Sequence, residues 1–243
     1  MRVLIFQHTA GEHPASFTDH IAAAGDSAHV VHLYKGEAIP DLALFDAAIV
    51  MGGPMDVWEE EAHPWLRPEK RAIAAWVESG RAYLGVCLGH QLLVEAMGGS
   101  CAKMGVPEVG VMPMMLTEAG CADAVLSRLP GANVGPVRVM QWHGVEAITL
   151  PEGATLLALN ENCPVQAIRV GARAWGVQFH PEITDDLCAY WMTDPGNRAA
   201  AIEWLGSAVA ADQFAADSAA HVLTALQNSA ALYAGLRAAA LEG

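Results

Sequence analysis

Ala82-Tyr83-Leu84-Gly85-Val86-Cys87-Leu88-Gly89-His90-Gln91 is an apolar run that ends in a cysteine set between two glycines. The run Ala82–Val86 predicts a buried strand, and Gly89–Met97, stopped by Gly98-Gly99, predicts a helix. Glycine two residues either side of Cys87 permits a sharp strand-to-helix turn, because a residue without a Cβ tolerates close backbone approach. A side chain at that turn stands above the sheet edge at the start of the helix. Free N–H groups and the positive end of the helix dipole there favour a thiolate and a developing oxyanion. A free cysteine is also a common small core residue, so this run taken alone fits a nucleophile or a buried thiol equally.

The flanking sequence repeats the strand–helix alternation. Val3–Phe6, His29–Leu33 and Ala47–Met51 read as short strands. Phe17–Ala24, ended by Gly25, and Pro64–Ser79, ended by Gly80, have helical spacing. This pattern predicts an α/β protein of the flavodoxin-like kind, a three-layer sandwich with a mostly parallel central sheet. Ligands in such sheets sit beyond the carboxyl ends of the strands, where both Cys87 and Gly52-Gly53 fall. From Val109 to Phe179 short apolar runs separated by Gly, Pro and Asn predict a small β-rich part added to the parallel sheet or extending it. The chain from Ile183 onward reads as helical, and Ser207–Leu241 is alanine-rich with an apolar stripe. Residues 1–195 are expected to form the main domain. Residues 196–243 would be a helical extension packed on it or on a second copy in a homodimer.

Composition narrows the setting. The chain has 243 residues, 53% of them hydrophobic, enough for one sizeable core. Its formal charge of −14 argues against nucleic acid or an anionic membrane surface as partner. Five cysteines without a C-x-x-C pair suit a reducing cytoplasm better than a disulfide framework. No metal or organic cofactor is indicated, since H-x-x-x-H and phosphate-loop spacings are missing from the sequence.

A thiol nucleophile needs a base, and the base an orienting group. Gln178-Phe179-His180-Pro181-Glu182 follows the apolar run Trp175-Gly176-Val177 and offers both, with His180 as base and Glu182 as its carboxylate. Met51-Gly52-Gly53-Pro54, at another strand end, exposes backbone N–H groups of the kind an oxyanion hole requires. Gly53 and Leu88, the residue after the nucleophile, are the candidate donors.

Val50–Pro54, Gly85–Gln91 and Gln178–Glu182, in that order, resemble the three signatures of the class I, triad-type glutamine amidotransferases. His63-Pro64-Trp65-Leu66, Pro107-Glu108-Val109-Gly110, Gln141-Trp142-His143-Gly144 and Cys163-Pro164-Val165-Gln166-Ala167 are similar to stand-alone members related to the amidotransferase domain of GMP synthetase. The resemblance runs from about Arg2 to Tyr190. It implies that Cys87 attacks the side-chain amide of glutamine to give a γ-glutamyl thioester and ammonia, and that water then releases glutamate. It places Gln91 in contact with substrate, with Gly52 beside it. His143 either binds substrate or supports its loop, because the aspartate that often follows such a His-Gly pair is absent here.

The chain lacks a recognisable ATP-using synthetase half, so its ammonia would feed a separate synthetase chain. Two further readings stand beside this one. The same triad could hydrolyse other γ-glutamyl amides or peptides, or the fold could serve a non-catalytic binding role.

Overall fold

The computed structural model describes residues 1–242. Strand β1 (Arg2–Gln7) sets the frame: Val3 and Ile5 face one side and Leu4 and Phe6 the other, all buried. Alternate side chains point to opposite faces, so a strand that is apolar throughout requires cover on both. β2 (Ser27–His32), β3 (Ala47–Val50) and β4 (Ala82–Val86) join it in parallel. α1 (Ser16–Ala23) covers the Val3 and Ile5 face. α2 (Leu66–Glu78) and α3 (Leu88–Ala96) cover the Leu4 and Phe6 face with Ile73, Trp76, Leu92 and Leu93.

The remaining strands extend the same sheet. β5 (Ser100–Leu116), β6 (Val137–Thr149), β7 (Thr155–Leu159), β8 (Ala167–Val170) and β9 (Ala174–Val177) complete the order β2-β1-β3-β4-β9-β8-β7-β5-β6. β9 pairs parallel with β4, and every pairing beyond it is antiparallel. The flavodoxin-like three-layer frame therefore holds, with one refinement. Of the two expected arrangements the β-rich part takes the second, extending the central sheet, and it is not small, since it contains the sheet's two longest strands. The first half of β5 carries Gly105 and Pro107 and an interrupted register between Lys103 and Glu108, which erases the alternation that would have marked it.

The helical region divides into pieces. After the short α4 (Glu118–Cys121) come α5 (Asp185–Thr193), α6 (Pro195–Leu205) and α7 (Ala208–Leu241). Asp194 starts α6 by accepting hydrogen bonds from the N–H groups of Gly196 and Asn197, with Pro195 at the first helical position. Gly206 ends it at φ 80, and Ser207 caps α7. α7 packs along α1, burying Leu232, Tyr233 and Leu236 in the Val3 and Ile5 core. Its first half buries Phe214, Val222 and Ala225 with Leu187 and Trp191 of α5 against Val109 and Met140. A Cβ on Gly235 would stand 2.9 Å from the Val125 backbone, so the helix approaches the turn after α4 too closely for a side chain there. Among the described residues no helix is long and apolar enough to cross a membrane.

Candidate active site

β3, β4 and β9 are neighbours in the sheet and parallel, so their carboxyl ends lie side by side. Gly52-Gly53 follows the first, Cys87 the second and His180 and Glu182 the third. Three segments distant in sequence are thus delivered to one edge by strand order alone.

Cys87 sits at φ 50 and ψ −105 as the N-terminal cap of α3. Only one other non-glycine described residue, Ala15, has a positive φ. The flanking glycines are sterically required: a Cβ on Gly85 would overlap the Gly89 carbonyl, and one on Gly89 would overlap the Val50 carbonyl. The Cys87 N–H donates to the Val177 carbonyl (2.9 Å), tying the turn to β9. Leu88 opens α3, and its N–H has no partner within the helix.

His180 is buried, and its Nδ1 lies 2.9 Å from Glu182 Oε1. The backbone N–H of His180 donates to the Met140 carbonyl (2.9 Å), and Trp191 packs edge-on to the ring with centroids 5.0 Å apart. Burial alone would lower the imidazole pKa. The charge of Glu182, the Cys87 sulfur facing the ring and hydrogen bonds to both outweigh it, and hold the pKa well above its ordinary value. Gln178 Nε2 donates to Cys87 Sγ (3.6 Å) and Gln178 Oε1 accepts from Gln91 Nε2 (3.2 Å). Gln91 Nε2 also donates to the Val145 carbonyl (3.2 Å), so Gln91 braces the residue that touches the thiol.

A second histidine–carboxylate pair lies behind the glycines. His8 Nδ1 is 2.9 Å from the Gly52 carbonyl and His8 Nε2 is 2.8 Å from Glu69 Oε1, both histidine and glutamate being buried. Burial lowers the His8 pKa, but Glu69 and the Gly52 carbonyl raise it by more. Both ring nitrogens face oxygen acceptors, a carbonyl and a carboxylate, an arrangement that favours the doubly protonated ring. The Gly52 carbonyl and the Gly53 N–H belong to one trans peptide and point in opposite directions. His8 thus fixes and polarises the peptide whose N–H faces away from it.

A third pair braces the β5–β6 arm. His143 Nε2 lies 3.0 Å from Glu108 Oε2, and His143 Nδ1 lies 3.0 Å from the Val145 carbonyl. Burial would raise the Glu108 pKa, yet hydrogen bonds from His143, Asn160 and Gln166 hold it below the usual carboxylate range. Cys163 brings a third ligand atom within 4.8 Å of these two. Its thiol faces the Val165 carbonyl and burial pushes its pKa up to about 12, so the trio suits a hydrogen-bonded brace better than a metal centre.

A cavity of about 570 Å³ opens over Cys87. Gly53, Gln91, His143 and His180 line it together with Glu12, while Gly52 does not reach its wall. Tyr190 and Trp191 of α5 and Trp204 of α6 also line it. The sequence reading did not single out His8, Glu69, Glu12 or Gln178. Glu69 carried a legible signal, since it shares the buried face of α2 with Leu66, Ile73 and Trp76 at helical spacing. Burial also pushes Cys101 up to about 12 and raises Cys188, which leaves those thiols poorly disposed to attack.

Residues 15–187 match the family model described as glutamine amidotransferase class-I. The glutamine amidotransferase-like protein YfeJ of Salmonella typhimurium is 32% identical over 188 residues, covering 76% of this chain and 77% of that protein. One subunit of the glutamine-hydrolysing GMP synthase of Sulfurisphaera tokodaii is 33% identical over 140 residues, covering 57% of this chain and 68% of that one. The Thermotoga maritima GMP synthase is 38% identical over 148 residues, but the match covers only 25% of its length. Among solved structures, a glutamine amidotransferase from Methylobacillus flagellatus superposes with a TM-score of 0.85 at 23% identity, over 98% of this chain and 94% of that one. Another from Thermotoga maritima gives 0.82 at 22%, over 97% of this chain and 98% of that one. At that identity the two structures establish the fold, and the first three findings establish the lineage: the chain belongs to the class-I glutamine amidotransferase family.

Proposed function

We propose that the protein hydrolyses the side-chain amide of glutamine to glutamate and ammonia through a γ-glutamyl thioester on Cys87. One observation supports this most strongly: a buried imidazole, bound to Glu182 on one nitrogen, faces the Cys87 sulfur at the mouth of a cavity. In this reading His180 takes the thiol proton as the sulfur attacks the γ-carbonyl carbon. It returns that proton to the departing nitrogen as the C–N bond breaks, then activates water to release glutamate. Glu182 orients the ring and stabilises its charged form. The N–H groups of Gly53 and Leu88 hold the oxyanion, with His8 and Glu69 fixing the Gly53 donor from behind. Gln91 lines the cavity, where it contacts substrate, and it also braces Gln178; His143 shapes the cavity wall.

The ammonia would pass to a separate synthetase chain, as the likeness to single subunits of GMP synthases suggests. The cavity also favours a second reading. Its volume of about 570 Å³ falls in the range of about 300–1,000 Å³ typical of sites for whole small molecules, so a substituted γ-glutamyl amide fits the same chemistry. Incubating the purified protein with glutamine and a panel of γ-glutamyl amines, while measuring glutamate, tests both. Release from glutamine alone supports the first reading and release from substituted amides the second. No release from any of them by folded protein contradicts both.

A further inference from the structure

Glu12, in the loop between β1 and α1, has no role in the scheme above, yet it lines the cavity beside the triad. A Cβ on Gly52 would overlap Glu12 Oε2 and stand 3.1 Å from His180 Cε1. Carboxylate and imidazole therefore share the space above one glycine, and position 52 stays open because the carboxylate fills it. Glu12 Oε2 is buried and has no hydrogen-bond partner. A buried polar oxygen without a partner is costly, and costs least when a ligand supplies the missing donor.

The side of the ring matters. His180 Nδ1 is taken by Glu182, so Nε2 is the nitrogen left for the reaction, and Cε1 adjoins it. Glu12 Oε2 and His180 Cε1 approach the same point above Gly52, which puts the carboxylate on the Cε1 side of the ring. The other groups assigned to the reacting centre, the N–H groups of Gly53 and Leu88 and the amide nitrogen of Gln178, are donors and cannot receive an N–H. We propose that Glu12 is the acceptor for the departing nitrogen, and that it selects γ-glutamyl amides whose nitrogen keeps an N–H, meaning primary and secondary amides rather than tertiary ones.

This rests on the thioester reading and adds one contact to it. As Cys87 Sγ bonds to the γ-carbon, the thiol proton passes to His180 Nε2. When the C–N bond breaks, its electron pair goes to nitrogen, which takes that proton from Nε2. The amine leaves neutral with an N–H bonded to the Glu12 carboxylate. Burial pushes the Glu12 carboxyl up to about 7, with His180 and His8 opposing the shift and Glu182 reinforcing it. The acceptor form is therefore gained as pH rises through about 7.

The test compares two substrates with the same acyl half: glutamine, and a γ-glutamyl alkyl ester whose leaving oxygen carries no N–H. Glu12→Leu is expected to lower kcat/KM for glutamine about 10–10²-fold, the worth of a hydrogen bond to a charged group. The ester rate should change by no more than about threefold. Glu12→Gln, which keeps an oxygen acceptor without the charge, should fall between wild type and Leu on glutamine. The wild-type rise in glutamine turnover near pH 7 should be missing from the ester profile and from the Leu variant. Equal losses on both substrates, or none on either, would overturn the proposal. Ester hydrolysis indifferent to Cys87→Ser would instead bring down the thioester reading itself.

Discussion

His180–Glu182 and His8–Glu69 are alike in composition, burial and spacing (2.9 and 2.8 Å), yet they stand on opposite sides of Gly52-Gly53 and meet different things. The first pair presents its ring to a sulfur at a cavity. The second spends its free nitrogen on a backbone carbonyl. The comparison teaches that a buried histidine–carboxylate pair acquires its role from what its far nitrogen touches. His143–Glu108 makes the point a third time: its far nitrogen meets the Val145 carbonyl, and the pair braces strands.

If that reading is right, the pairs separate when each is broken. Cys87→Ser, which keeps the turn and removes the sulfur that gives the first pair its purpose, should lower glutamate release by about 10⁴-fold or more, with the circular-dichroism spectrum unchanged. His180→Asn should cost about 10³–10⁴-fold. Glu182→Gln should leave a measurably higher residual rate than His180→Asn, and equal losses would show that Glu182 does more than orient the ring. His8→Gln should lower kcat about tenfold with little change in KM, because it weakens one oxyanion donor and leaves the nucleophile in place. A rate loss as deep as that of His180→Asn would break the proposed division between the two pairs.

Glu108→Gln should affect turnover least and stability most. Disrupting the hydrogen bonds to a buried carboxylate costs about 1–3 kcal/mol, which thermal unfolding would register. The folded Glu108 carboxyl lies below its ordinary value of 4.5, so its contribution is complete above that pH and is lost as pH falls further. The gap in unfolding midpoint between wild type and Glu108→Gln should therefore narrow on acidification below 4.5. A gap that stays constant would remove Glu108 from the brace.

Much of this was legible in the chain. Apolar runs bounded by polar residues or glycine announced β1, β3 and β4, and a cysteine between glycines announced a turn that the steric crowding of Gly85 and Gly89 explains. Strand order was not legible from spacing, and it is strand order that brings β9 beside β4 and His180 toward Cys87. The first half of β5 escaped because its interrupted register and half-exposed residues leave no period to read. Glu12 escaped for a different reason. A glutamate in a loop looks solvated until the fold lays it over Gly52, and nothing local to residues 8–16 encodes that contact.

Mass spectrometry of the protein quenched in acid during glutamine turnover tests the central claim most directly. A glutamyl adduct carried by the peptide that contains Cys87, accumulating in the wild type and missing in Cys87→Ser, is the predicted result. Steady glutamate release with no adduct on that peptide, or with the adduct on Cys101, Cys121, Cys163 or Cys188, would contradict it.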